Sequence, residues 1–294
     1  IKVVKVGSGT TKLSGANTYS GGTTISAGTL QVGHATALGN SAGAVSVTSG
    51  AVLDLNGITM TATNPLTLNG SGINAGGALI NASNTTATYV GLITLGSDSS
   101  IVADNGAIVL SNTGTLTGAG KALSLGGSTG GTLASIIGTG AGTLTKVGSG
   151  TWTLTGASSY TGVTTLNGGV LSVSTLANGG VNSNIGASSN AASNLVLNGG
   201  TLRYTGAAQS LDRLFSVGVQ GGALDASGTG ALNFTNTGAL VMVGTGARTL
   251  TLKGNNTGDN TLSAALGDDV SVTPVNGTGL IKSGTGYWVL GGAN

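Results

Sequence analysis

Several residue types are missing or scarce here, and each gap excludes something. There is no cysteine, so no disulfide framework exists. There is no glutamate either: all 8 acidic residues are aspartates. Losing so strong a helix former, in a chain crowded with Gly, Thr and Ser, argues against helices. Charged residues are only 6% of the chain, against roughly 25% in an ordinary globular protein. The pI near 9.0 reflects ten basic groups against eight acids, a net +2. That is too few charges to track a phosphate backbone, so nucleic acid is excluded as a partner. The single histidine, His34, excludes a histidine-based metal centre or a duplicated histidine-dependent active site. Two prolines, Pro65 and Pro274, are too few for polyproline or collagen. No run of 18 apolar residues occurs, so no transmembrane helix is expected. The chain starts at Ile1 with no signal peptide, as expected of a mature or excised piece.

What is present points one way. Glycine accounts for 57 of 294 residues and hydrophobic residues for 39%, so the chain escapes the low-hydrophobicity signature of disorder. Short alternations of apolar and polar residues recur: TLQV (29–32), VLDL (52–55), LITL (92–95), AIVL (107–110) and ALSL (122–125). They continue as TWTL (151–154), VLSV (170–173), LVLN (195–198), TLRY (201–204), ALNF (231–234) and TLTL (249–252). Each has the period of two of a half-buried strand and is bounded by Gly, Asn or Ser. The chain is all-β.

A phrase also repeats. KVGSGTTKLSGANTYSGGTTISAGTLQVG (5–33) returns as KVGSGTWTLTGASSYTGVTTLNGGVLSVS (146–174) and begins again as KSGTGYWVLGGAN (282–294). Between these landmarks GGALINAS (76–83) matches GGALDAS (221–227), and GAIVLSNTG (106–114) matches GALNFTNTG (230–238). We therefore read residues 1–145 as a first module, 146–281 as a second and 282–294 as the start of a third. No charged or proline-rich linker separates them, which favours one continuous solenoid over duplicated barrels. In a parallel β-helix built of tandem modules, glycine supplies the corners. Low charge keeps like charges from stacking on neighbouring coils.

The phrase G-S-G-T-x-x-L-[ST]-G-A-[NS]-[TS]-Y-[ST]-G-x-T-T, at 7–24 and 148–165, resembles the repeat of bacterial autotransporter passenger domains. TLTLKGNNTGDNTLSAALGDD (249–269), running into GLIKSGTGYWVL (279–290), resembles that family's lead-in to the repeat. The resemblance implies a right-handed parallel β-helix exported across an outer membrane and displayed at the cell surface. Truncation of the third repeat at Asn294 carries the expectation that the natural polypeptide continues.

Few residues offer chemistry. GNSAG (39–43) and GGSTG (126–130) match a nucleophile-elbow pattern, but no helix follows either. Glycan-cleaving β-helices need carboxylates or bases clustered on one face, and the tightest mixed cluster is Arg203, Asp212 and Arg213, which we read as a surface ion pair. Asp268 and Asp269 fall short of the ligand number calcium prefers. No catalytic residue, cofactor or metal is expected. The repeat-equivalent positions read as structural: Lys5, Lys146 and Lys282; Gly7, Gly148 and Gly284; Gly9, Gly150 and Gly286; Tyr19 and Tyr160. The lysines are expected on the solvent side of strand ends, discouraging edge association. The tyrosines, with Trp152, Trp288 and Tyr287, are expected to pack at corners or in the core.

The sequence thus points to a non-enzymatic extracellular structural segment, a stretch of β-helical rod. The alternative is an adhesin whose β-helix surface binds glycans or other cells, with a polysaccharide-cleaving enzyme a more distant third. Expected partners are the rest of a longer chain, or other copies along the rod axis.

Overall fold

The computed structural model describes residues 1–268 and 277–292. Among them the regular structure is short strands and two single-turn 3-10 helices, Ile73–Ala75 and Ala192–Asn194. Every ladder between strands is parallel. The chain forms two compact units: Ile1–Thr143 with Gly148–Gly156, and Leu144–Val147 with Ala157–Asn294.

In the first unit the chain visits three stacks in turn. One runs Val3–Lys5, Thr23–Ile25, Val45–Val47, Leu66–Gly70 and the first half of Ile93–Val102. A second runs Thr10–Leu13, Thr29–Val32, Val52–Asp54, Leu79–Ile80, the second half of Ile93–Val102 and Leu123–Gly126. The third runs Ala87–Tyr89, Ile108–Leu110, Gly130–Leu133 and Thr151–Leu154. Parallel pairing of segments about one coil apart, on three faces, is a β-helix.

The second unit repeats the plan. Leu144–Lys146, Thr164–Leu166, Leu195–Leu197, Ser216–Gly218 and Val241–Val243 form one stack. Val170–Val173, Thr201–Tyr204, Gly222–Ala226, Arg248–Gly254 and Thr278–Lys282 form another. Gln209–Leu211, Leu232–Phe234, Asn260–Leu262 and Trp288–Leu290 form the third.

Alternation sends every second side chain inward, and register places like on like. Ile25, Val47, Leu68 and Leu95 succeed one another down a column of the first unit. Leu171, Leu202, Leu224 and Leu252 do so in the second. Nearly all are fully buried, and each such side chain withdrawn from water stabilises by about 2 kcal/mol. Phe215 and Phe234 add an edge-on aromatic contact at 5.8 Å.

Outside, charge alternates instead of repeating. Arg203, Asp225 and Lys253 lie opposite one another in register, and Arg203 Nε donates to Asp225 Oδ2 at 2.9 Å. A ladder of unlike charges answers the repulsion that stacked like charges would create.

Candidate functional site

The repeat positions build a corner, which is best followed from the lysine outward. Lys5 and Lys146 end the strands Val3–Lys5 and Leu144–Lys146. Neither lies on the solvent side: Lys5 is 6% exposed and Lys146 0%. The solvent-side expectation is corrected for both, because their ammonium groups are consumed by main-chain carbonyls. Lys5 Nζ donates to Val6 O (2.9 Å), Gly7 O (2.7 Å) and Ala27 O (3.0 Å). The first two belong to the turn that follows the lysine, and the third belongs to the corresponding turn one coil on. Lys146 Nζ does the same with Val147 O (2.7 Å) and Gly168 O (3.3 Å). Lys282 is exposed and donates to Ser283 O and Gly284 O, both at 2.9 Å.

The turn needs glycine for its backbone: Gly7, Gly148 and Gly284 have φ of 72°, 70° and 70°. In that left-handed region only glycine is free of strain. Gly9, Gly150 and Gly286 follow two residues later. A Cβ on Gly150 would stand 2.5 Å from the Thr129 carbonyl carbon, and one on Gly286 2.7 Å from Asn256 O. Gly9 has open space around it.

Tyr19 and Tyr160 form the second half of the corner. Tyr19 Oη lies 2.7 Å from Thr23 Oγ1, and Tyr160 Oη lies 2.7 Å from Thr164 Oγ1. Both threonines are 1% exposed, at inward positions. A buried hydroxyl without a partner costs about 1–3 kcal/mol, so the tyrosine and the threonine four residues later belong together. Tyr160 is fully buried, which pushes its phenol well above the ordinary value.

Each tyrosine also receives a glycine that the repeat phrase does not contain. Gly39 (φ 83°) and Gly186 (φ 79°) sit against the two rings. Asn40 N donates to Tyr19 O at 2.9 Å, and Ala187 N to Tyr160 O at 2.7 Å. Residues 36–41 and 183–188 are therefore equivalent. The intervening segment is longer in the second copy, which hides the match in a linear comparison.

A third device lay within the matched sequences but went unread. Asn112, Asn236 and Asn256 each bind the NH of the glycine two residues on, at 2.9–3.0 Å. Each also donates from Nδ2 to a carbonyl of another coil: Val90 O, Asp212 O and Gly228 O respectively. Asn-x-Gly is thus a turn and a coil-to-coil link at once.

The cluster Arg203, Asp212 and Arg213 does not assemble as the expected surface ion pair. Arg203 pairs with Asp225. Asp212 accepts Gly179 N (2.7 Å) and Asn190 Nδ2 (3.1 Å). Arg213 is 2% exposed and donates to Ala177 O, Gly186 O and Ser188 Oγ at 2.7–3.0 Å, and more distantly to Asn178 O and Val181 O. Burial lowers the affinity of its guanidinium for a proton, although arginine stays charged in proteins. Arg248, 3% exposed, is held likewise by the carbonyls of Val217, Val243, Gly244 and Gly246.

The remaining candidates are quickly placed. His34 Nδ1 is paired with Thr36 Oγ1 at 3.1 Å and closes a local turn. Ser128 Oγ donates to Asp104 O at 2.6 Å, and Ser41 is exposed in a corner. Asp268 accepts Thr278 N at 2.7 Å; Asp269 lies outside the described residues. Trp152 is fully buried with Nε1 on Gly126 O (2.9 Å), Trp288 is part-buried with Nε1 on Lys253 O (3.0 Å), and Tyr287 is 53% exposed. Among the described residues, no cluster of three His, Asp or Glu could hold a metal, and no helix is long and apolar enough to cross a membrane.

Comparison with known proteins agrees with this geometry. The family model for the passenger-associated-transport-repeat matches residues 3–32, 144–173 and 280–294, the three occurrences of the repeated phrase. Over 286 residues, 97% of the chain, the sequence is 41% identical to an adhesin named BmaC autotransporter from Brucella suis biovar 1 (strain 1330). The chain spans only 7% of that protein's length. No solved structure matches it. The passenger-repeat matches and 41% identity to an autotransporter adhesin along nearly the whole chain support an autotransporter passenger domain.

Proposed function

We propose that this segment is a non-catalytic stem of a surface adhesin, a stretch of coils whose polar chemistry is spent on holding its own turns. The observation that carries this reading is the fate of the buried cations. Lys5, Lys146, Arg213 and Arg248 are all buried, and main-chain carbonyls are acceptors for each. The carboxylates are similarly engaged. Asp54 accepts Gln31 Nε2 and the amides of Asn56 and Ala82, Asp98 accepts Ala122 N, and Asp104 accepts Ser128 N. General acid–base chemistry needs two such groups converging on open space, and these converge on backbone.

The test is a replacement in the parent protein on the bacterial surface. Residues 1–294 would be exchanged for a β-helical segment of equal coil number and unrelated surface. A stem predicts that adhesion survives. Loss of adhesion with display intact would move the binding function onto this segment's own face. Release of reducing sugar ends from a polysaccharide by the isolated chain would overturn the non-catalytic reading.

A further inference from the structure

The two copies of the tyrosine corner differ in what fills them. Around Tyr160, Gly186 O accepts both Ser183 Oγ (2.8 Å) and Arg213 Nη2 (3.0 Å), while Arg213 Nη1 donates to Ser188 Oγ at 2.9 Å. The guanidinium's other acceptors, the carbonyls of Ala177, Asn178 and Val181, come from the longer connecting segment of this copy. Around Tyr19 the same backbone is present. Gly39 occupies the place of Gly186, with matching φ and the same approach to the tyrosine ring and carbonyl, and Ser41 occupies that of Ser188. Neither an arginine nor the longer segment is there. Among the described residues no donor reaches Gly39 O or Ser41 Oγ. An open groove of about 320 Å³ remains, lined by Asn17, Thr18, Thr36, Asn40, Ser41 and Thr61 among others.

We propose that this groove binds an arginine side chain presented by a partner polypeptide, with the Gly39 carbonyl and the Ser41 hydroxyl as its acceptors. The chain itself displays the occupied form in its second unit, where a guanidinium sits on the equivalent pair of atoms. A planar guanidinium directs N–H groups to two acceptors at once, which a single ammonium point charge does less well. No carboxylate accepts from Arg213: its acceptors are four carbonyls and the Ser188 hydroxyl. A partner polypeptide, not a free guanidinium compound, is the fitting source. In the second unit the guanidinium is a side chain of another coil of the polypeptide, and carbonyls of the connecting segment that carries Gly186 and Ser188 add to its hydrogen bonds. The inference goes beyond the proposed function; it is read on the isolated chain and stands or falls separately from the stem experiment.

The test is a titration of the isotopically labelled 294-residue chain, followed by amide NMR. The ligands are acetyl-Gly-Arg-Gly-amide, its lysine and citrulline counterparts, and maltotriose. The expected result is saturable shifts centred on Gly39, Asn40 and Ser41 with the arginine peptide, with affinity near about millimolar and at least about tenfold weaker for citrulline. Ser41→Trp, or Thr61→Trp from the other wall should the first misfold, abolishes the shifts. Absence of shifts at the corner, equal binding of citrulline, persistence in both tryptophan variants, or preference for maltotriose would each overturn the proposal.

Discussion

Tyr160 is fully buried and Tyr19 half-buried, although each bonds the threonine four residues later at the same 2.7 Å. Lys146 is sealed and Lys5 retains a trace of exposure. Trp152 packs inside where the first copy has Thr11. The two copies share a phrase but not a depth of burial. The second corner has Arg213 and the longer connection of residues 174–194 against it, and its strand Thr151–Leu154 stacks on Gly130–Leu133, whereas Thr10–Leu13 is the first strand of its stack. A repeat of this kind fixes a local hydrogen-bonding pattern, while neighbouring segments decide how much each bond is worth.

Several substitutions sharpen that contrast. Arg213→Ala should have the largest effect, about 3 kcal/mol of stability in urea unfolding, because it strips the donors from a set of buried acceptors. Amide exchange should rise from Ala177 to Ser188 and leave Thr36 to Ser41 unchanged. A loss below about 0.5 kcal/mol would mean that the longer connection holds itself, as for an ordinary surface change.

The lysines come next. Lys146→Met keeps the apolar stem and removes the ammonium, so it should cost about 2 kcal/mol, Lys5→Met about 1, and Lys282→Met under about 0.5. Equal losses at all three would break the link between burial and staple strength.

A pH series gives a smaller but distinctive signal. Burial pulls the Lys146 ammonium down to about 8, below its unfolded value of roughly 10.4. Between those limits the unfolded chain binds a proton that the folded chain has released, so this group makes stability rise with pH. Below pH about 8 both states hold the proton and the slope vanishes. The stability of the natural chain minus that of Lys146→Met should therefore increase by about 1.5 kcal/mol between pH 8 and 9.5. A flat difference would show that the lysine titrates as if solvated.

The tyrosines give the smallest contrast. Tyr160→Phe should cost about 1 kcal/mol and Tyr19→Phe about half that, read from the same urea curves. The reverse order would contradict the burial argument.

Much of this was legible in the sequence. Each alternating segment singled out contributes a strand, from TLQV at Thr29–Val32 to TLTL within Arg248–Gly254, because a period of two is a local signal. The glycines of the turn were legible for the same reason. The lysines were misread because a lysine before a Gly-Ser-Gly turn looks identical whether solvated or stapled. What decides is a carbonyl 22 residues away, in Ala27 or Gly168. Arg213 was misread likewise, with acceptors 25 to 36 residues back along the chain. Local spacing carries no record of such partners. The equivalence of Gly39 and Gly186 escaped notice because the second copy's extra residues shift the alignment, yet the Gly-x-Ser that follows each Tyr–Thr pair, Gly39–Ser41 and Gly186–Ser188, was a signal that could have found it.

The claim that ties the account together is that the repeat's lysines are internal staples. It is tested most directly by ¹H–¹⁵N NMR of the lysine ammonium groups themselves. The account predicts that Lys5 and Lys146 Nζ protons exchange slowly with water and show couplings to carbonyl carbons of the Val6–Gly7 and Val147–Gly168 sets, while Lys282 exchanges fast. Fast exchange at all three, with no such coupling, would contradict it and return the lysines to the solvent.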